Sequence, residues 1–148
     1  MREADCIFCR IAAGEVHANI VLRDAHVTVF MDRGAIRPGH MQIVPNDHYP
    51  YFDDLPEHLA AHVMATGQRL ARALKQWSGQ ERVAFLFTGG DVPHAHAHCL
   101  PMHEKTDITS TRYIAQGDLT FVAPDPVEDA QLADTAAAIR KVLAEART

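Results

Sequence analysis

Three histidines, His94, His96 and His98, alternate with small apolar residues in the second half of the sequence. Successive side chains of an extended strand point to opposite faces, so this spacing predicts one strand face carrying all three imidazoles, about 7 Å apart. Imidazole binds metals, donates hydrogen bonds to phosphate and acts as a nucleophile. The pattern indicates a catalytic zinc site, a phosphate site or covalent catalysis, with buried core histidines as the alternative.

A second constellation is the pair Cys6 and Cys9, which forms a C-x-x-C motif. Two thiolates at this spacing can share one tetrahedral zinc ion, and histidines elsewhere could complete a Cys₂His₂ site. A redox dithiol is the competing interpretation, but it is expected near a βαβ unit rather than so early in a chain. Two buried thiols beside a short helix are the third. His40 and His48 flank a predicted strand, and their spacing alone assigns them no role.

Composition narrows the class of protein. The 148 residues are 47% hydrophobic and 22% charged, which is typical of one globular domain. A net charge of -5 argues against a broad nucleic-acid surface. Three cysteines, and no apolar stretch in residues 1–5, predict a reducing, cytoplasmic location without a membrane span.

Periodicity predicts the elements that must hold these side chains. Short apolar runs predict strands over 19–22, 27–31, 41–44 and 83–87, followed by the histidine strand. Helices are predicted over 6–13, from a capping box at 54–57 to Gly79, and at about 126–147. Strands in hairpin-like succession predict a single α+β domain over 1–148, with an antiparallel sheet of about five strands and helices packed on it. The face opposite the imidazoles is expected to carry small, closely packed side chains: Ala95, Ala97 and Cys99.

Taken in order, these motifs resemble the histidine-triad (HIT) family over most of the chain. The resemblance is carried by Cys6–Ile11 and Gly14–Val16, by Phe30–Asp32, by Pro38–His40 with Val44–Pro45, and by His94–Pro101. It implies an α+β fold with an antiparallel sheet, assembled as a homodimer. It also implies hydrolysis or transfer of a nucleoside monophosphate group, from dinucleoside polyphosphates or nucleoside phosphoramidates.

The resemblance assigns catalytic roles to four histidines. His96, the middle one, would attack the α-phosphorus and form a covalent nucleotidyl-histidine intermediate. His98 would donate to a phosphate oxygen or to the leaving group, and His40 would support the array and the phosphate site. His94, the first histidine of the catalytic motif, is the fourth. The backbone amides of Gly89 and Gly90 would stabilise negative charge on the phosphate, in the manner of an anion nest.

The resemblance also implies the substrate-binding residues and the metal. Asp32 would bind the ribose hydroxyls, and the base wall would consist of Phe8, Ile11 and Leu22. Galactose-phosphate uridylyltransferases, which share the ancestral fold, carry a structural zinc at matching positions. Its ligands here would be Cys6, Cys9, His48 and His94, with one zinc per chain and no organic cofactor.

The chain departs from the family pattern in the loop before the histidines, where Asp91 stands near a serine position and no asparagine is present. A carboxylate facing the substrate would repel phosphate. Two further hypotheses therefore stay open: a zinc-stabilised nucleotide-binding module with little or no catalysis, and a zinc hydrolase using His94, His96 and His98 as ligands. The remaining histidines, His17 among them, receive no functional role.

Overall fold

The computed structural model describes residues 3–88, 92–108 and 124–145. A five-stranded sheet, in the order β1-β2-β3-β5-β4, lies at its centre, and every neighbouring pair of strands is antiparallel. The predicted α+β class and strand number are confirmed. The strands are β1 (Ile20–Arg23), β2 (Val27–Met31), β3 (Met41–Pro45), β4 (Val83–Phe87) and β5 (Ala97–Pro101).

Three helices flank the sheet: α1 (Ile7–Ala13), α2 (Glu57–Ser78) and α3 (Asp129–Glu145). α1 ends as predicted at Gly14, whose φ of 79° lies in the left-handed region that glycine adopts without steric cost. The capping box predicted at 54–57 is wrong. Asp54 instead accepts a hydrogen bond from the Tyr51 N–H in a short 3₁₀ turn, and Pro56 precedes the first residue of α2.

The two faces of the sheet bury different partners. The α2 and α3 side carries the main core, in which Leu70, Leu74 and Ile139 are fully buried against Val29 and Ile43. The other side carries a smaller cluster in which α1 supplies the first two of four side chains: Phe8, Ile11, Phe30 and Val44. Among the described helices, α1 packs on that side and is short, and part of the sheet beside it forms a cavity wall.

α2 approaches the sheet closely at Gly67. A Cβ atom placed there would lie 2.4 Å from the Phe85 ring, so only glycine allows the helix to pack this near to β4. The apolar face predicted for the last helix is confirmed for Leu132, Ala136 and Ile139, which are buried. That helix begins at Asp129 rather than at about 126. None of the helices in the described ranges has the length and hydropathy that a bilayer crossing requires.

Candidate active site and metal centre

The histidine segment is only partly a strand. β5 begins at Ala97, so His94 and His96 precede it, and the prediction that all three imidazoles share one strand face is wrong. The His94 N–H bonds to the Val92 carbonyl over 2.8 Å in a bend that turns the backbone away from a straight extension. The predicted packing of the small side chains is confirmed, since Ala95, Ala97 and Cys99 lie in the main core.

The imidazole of His94 turns towards α1, where it meets the two cysteines. Its Nδ1 lies 3.3 Å from Cys6 Sγ and 3.5 Å from Cys9 Sγ, and His48 Nδ1 lies 3.5 Å from Cys9 Sγ. The four ligand atoms all lie within 4.8 Å of one another. Two thiols and two imidazoles gathered in this way are a donor set that tetrahedral zinc prefers. We call these four residues the sulfur cluster.

The outer nitrogens of both imidazoles in the sulfur cluster lie near oxygen acceptors. His94 Nε2 lies 3.1 Å from the Pro45 carbonyl, which can only accept, so the proton is on Nε2 and the Nδ1 lone pair faces the thiols. His48 Nε2 lies 3.4 Å from a carboxylate oxygen of Glu3, within ion-pair distance. Acceptors behind the ligands are typical of zinc-binding histidines. The residues present therefore fit zinc.

His96 is held through one ring nitrogen, and none of the described residues forms a hydrogen bond with the other. Its Nδ1–H donates to the His94 carbonyl over 2.7 Å, which leaves the Nε2 lone pair available. The ring is nearly buried and meets the edge of Phe8, with centroids 5.1 Å apart. The His98 ring lies at the same distance on another side. A fixed imidazole with one unprotonated nitrogen has the form that a nucleophile requires.

A hydrogen-bonded chain runs through His40 and His98. The Ile36 N–H donates to His40 Nδ1 over 3.2 Å, so a neutral His40 carries its proton on Nε2. That nitrogen lies 2.9 Å from His98 Nδ1, which must accept, so His98 in turn carries its proton on Nε2, 3.2 Å from Thr88 Oγ1. The chain thereby makes His98 Nε2 a hydrogen-bond donor.

Burial keeps this pair neutral at pH 7. Loss of solvent lowers the pKa of His98 to about 4 and lowers the pKa of His40 as well, and the nearby Asp32 carboxylate only partly opposes this. Burial likewise lowers the pKa of His94 to about 4 and raises the pKa of the Cys9 thiol. The tautomers derived from the hydrogen bonds therefore describe the protein near neutral pH.

Asp32 follows the last residue of β2 and lies beside the hydrogen-bonded pair His40 and His98. Its Oδ1 accepts from the Gly34 N–H over 2.8 Å and its Oδ2 accepts from Gln42 Nε2 over 2.7 Å. Oδ2 also lies 3.6 Å from His40 Nε2 and 3.8 Å from His98 Nδ1. We call Asp32, His40 and His98 the relay cluster. Their ligand-type atoms also lie within 4.8 Å of one another.

The three motif histidines do not converge on one metal position in the described part of the chain. His94 belongs to the sulfur cluster, His98 to the relay cluster, and His96 to neither. The hypothesis of a zinc hydrolase with these three ligands is therefore not supported by the geometry. The four-residue donor set that fits zinc does not include His96.

A cavity of about 390 Å³ opens next to these residues, on the α1 side of the sheet. Of the predicted substrate-binding residues, Phe8, Ile11 and Asp32 line it. Leu22 does not, because a register shift between Ile20 and Leu22 breaks the alternation of β1 and Leu22 packs against the main core instead. Several other residues line the cavity without having been predicted from the sequence: His17, Asn19, Phe30, Gln42, Val127 and Asp129.

Some of these missed residues come together across long stretches of chain. Asp129 Oδ1 lies 3.1 Å from His17 Nε2 and accepts from Asn19 Nδ2 over 2.8 Å. No local pattern signals a contact between positions more than a hundred residues apart. Phe30 alone had a detectable signal, since it alternates with core residues along β2. The predicted phosphate-binding amides of Gly89 and Gly90, and the carboxylate of Asp91, lie outside the described residues.

Comparison with known proteins is consistent with this site. The family model for the HIT domain matches residues 13–105. An uncharacterized HIT-like protein of Methanocaldococcus jannaschii is 33% identical over 107 residues, 67% of this chain and 80% of that protein. The adenosine 5′-monophosphoramidase of Saccharomyces cerevisiae is 27% identical over 108 residues, 70% of this chain and 66% of that enzyme. The crystal structure of a zinc-bound histidine triad family protein from Mycobacterium smegmatis shares the fold, with a TM-score of 0.75, 23% identity and coverage of 97% and 96%.

Proposed function

Because this chain belongs to the HIT family, we propose that it cleaves nucleotide conjugates at the α-phosphate through a covalent intermediate on His96. The observation that carries the proposal is the orientation of His96, whose Nδ1–H is held by the His94 carbonyl while Nε2 keeps its lone pair. The conjugate would be a nucleoside phosphoramidate or a dinucleoside polyphosphate. The product would be a nucleoside monophosphate.

The reaction takes two displacements at phosphorus. His96 Nε2 bonds to the α-phosphorus, and the leaving group departs with the electron pair of the broken P–N or P–O bond; an amine takes up a proton from solvent as it leaves, whereas a phosphate leaves as the anion. Water then attacks the same phosphorus, His96 leaves as a neutral imidazole, and the water proton passes to solvent. His98 Nε2–H, oriented by His40, donates to a phosphate oxygen, where negative charge must be stabilised during transfer.

The nucleoside would occupy the cavity on the α1 side. Phe8 and Ile11 offer an apolar wall for the base, and Asp32 lies where ribose hydroxyls can reach its carboxylate. Leu22, which faces the main core, has no part in this proposal.

Zinc would be held by Cys6, Cys9, His48 and His94, and its contribution when bound is structural. It would tie α1 and the segment after β3 to the residue whose carbonyl orients the nucleophile. A site with four protein ligands leaves no open position for substrate.

The assembly and location follow the family expectation. We propose a homodimer, which the apolar side chains on the edge strand β4 support, since Val83, Phe85 and Phe87 stay only half-buried in one chain. A reducing cytoplasm agrees with three cysteines that form no disulfide in this structure.

The decisive experiment compares the wild type with His96→Ala. Purified proteins are given an adenosine phosphoramidate and a diadenosine polyphosphate, and AMP release and bound zinc are measured. We expect at least a thousandfold loss of AMP release, on the order of what losing a nucleophile costs, with zinc unchanged. His103→Ala is the matched control, because that side chain is exposed.

Each other outcome has a defined meaning. Equal AMP release by wild type and His96→Ala would refute the assignment of the nucleophile. Loss of zinc in His96→Ala would favour metal catalysis. A wild type that binds AMP but releases none from either conjugate would be the zinc-stabilised nucleotide-binding module.

A further inference from the structure

Gln42 places an uncharged polar side chain in the wall of the cavity, between the strands of the sheet that carry Phe30 and His98. It lies on β3, directly opposite Phe30 of β2 and His98 of β5, and it lines the nucleoside cavity. Its Nε2 donates to Asp32 Oδ2, the oxygen that also lies near His40 and His98. An apolar side chain of similar size would fill the same space, so the amide calls for an explanation.

One half of that amide has no hydrogen-bond partner in the described part of the chain. Nε2 must face Asp32, because a carboxylate only accepts, and the bond is 2.7 Å long. This fixes Oε1 on the other side, where it is buried and receives no hydrogen bond from the described residues. A buried acceptor left unpaired costs free energy, and such groups in folded proteins call for a partner.

We propose that Gln42 determines sugar specificity by accepting a hydrogen bond from a ribose hydroxyl through Oε1, next to Asp32. This inference rests on the proposed function, because it places a nucleotide in the cavity. The terminal torsion of glutamine is soft, so a small rotation of the amide exposes Oε1 to the cavity. The protein thereby selects ribonucleotides over nucleotides that lack the hydroxyl.

The chemistry of a nucleotide leaves few alternatives for the donor. Phosphate oxygens at neutral pH accept and do not donate, so they cannot satisfy Oε1. The base would lie against the rings of Phe8 and Phe30, whose centroids are 5.7 Å apart. The sugar hydroxyls are the donors that lie between base and phosphate, and Gln42 lies between those rings and His98.

The test measures equilibrium binding and needs no cleavage. AMP, 2′-deoxy-AMP and 3′-deoxy-AMP are titrated by calorimetry into the wild type, Gln42→Leu and Gln42→Met. For the wild type we expect at least one deoxy analogue to bind about tenfold more weakly than AMP, or more weakly still, since one hydrogen bond is worth about tenfold in affinity. Each Gln42 variant should lose about tenfold of that discrimination, and the share contributed by Asp32 should remain. Gln68→Leu makes the same chemical change on the exposed face of α2 and should keep the full discrimination.

A second background separates direct contact from an effect through Asp32. When Gln42→Leu is introduced into the Asp32→Asn variant, it should still lower the discrimination about tenfold. If Gln42 only positioned Asp32, the second substitution would have no further effect, and that result would overturn the inference. Unchanged discrimination in both single variants, with zinc content and thermal midpoint like the wild type, would also overturn it, as would failure of the wild type to bind AMP. AMP binding with a Gln42-dependent preference, but no cleavage, would refute the proposed reaction and leave this inference standing.

Discussion

The sulfur cluster and the relay cluster hold similar numbers of potential ligands at similar distances, yet their hydrogen bonds suit them to different tasks. In the sulfur cluster, the outer nitrogen of His94 bonds to a carbonyl, so the lone pair points inward. In the relay cluster, a backbone N–H bonds to the outer nitrogen of His40, so a proton points inward. The inward lone pair of His94 suits a cation. The inward N–H of His40 instead orients the His98 ring by a hydrogen bond.

A count of ligand atoms therefore does not identify a metal site. A metal on His40 Nε2 would require that nitrogen to lose its proton while the Ile36 N–H still faces Nδ1. This would leave an anionic ring, which burial disfavours. The backbone group bonded to one ring nitrogen of a histidine therefore decides what the other nitrogen can bind, as much as the side chains around that other nitrogen do.

The largest effect that would test this comparison is expected from Cys9→Ser. Removing one thiolate should reduce bound zinc from about one per chain to none and lower the thermal midpoint strongly, because metal binding at a structural site contributes to folding free energy. Metal content by mass spectrometry and calorimetric unfolding measure both. Cys99→Ser is the control, since Cys99 is buried in the main core away from the cluster. Zinc retained in Cys9→Ser would contradict the assignment.

A smaller effect is expected from His40→Ala. Without the Nε2–H of His40, His98 is free to change its tautomer and lose its donor, so kcat/KM for AMP release should fall about a hundredfold, as for loss of an oriented donor. Zinc content should stay at the wild-type value. Steady-state kinetics with metal analysis measure this difference. A loss of zinc without a loss of activity would reverse the roles of the two clusters.

The smallest effect is an acid dependence of stability. The folded pKa of His98 is lowered by burial to about 4, below the value of about 6.5 for an exposed histidine, so its contribution is complete above pH 6.5 and is lost as pH falls towards 4. The unfolding free energy should fall by at most about 1.4 kcal/mol per pH unit for this proton. Urea unfolding of the zinc-loaded protein between pH 7 and pH 5 measures it. An unchanged slope in His98→Asn would show that another group is responsible.

Sequence reasoning predicted most of the fold because its signals are local. Apolar runs located four strands within one or two residues, and Gly14 located the end of α1. The backbone bend before Ala97 was missed because alternation alone cannot show where pairing with β3 begins. Leu22 was misplaced for a related reason, since a single irregularity in β1 reverses which face its side chain occupies.

The residues of the candidate site that belong to a sequence motif could be predicted. Those that only the fold brings to the site could not. The four residues of the sulfur cluster were implied by resemblance, and the structure gathers them. Gln42 and Asp129 carry no motif, so their place in the cavity wall depends on strand register and on the packing of a distant helix. The direction of each imidazole proton likewise depends on backbone groups that no residue pattern specifies.

α1 carries Phe8 and Cys9 side by side, one on the cavity wall and the other in the sulfur cluster. Seven residues are too few for a helix to be stable alone, so its position depends on the contacts at both sites. Under the proposed function, metal occupancy and nucleotide affinity would be thermodynamically linked, each raising the other by the same factor. At low zinc, the protein would lose affinity for the nucleotide although no group that touches phosphate had changed.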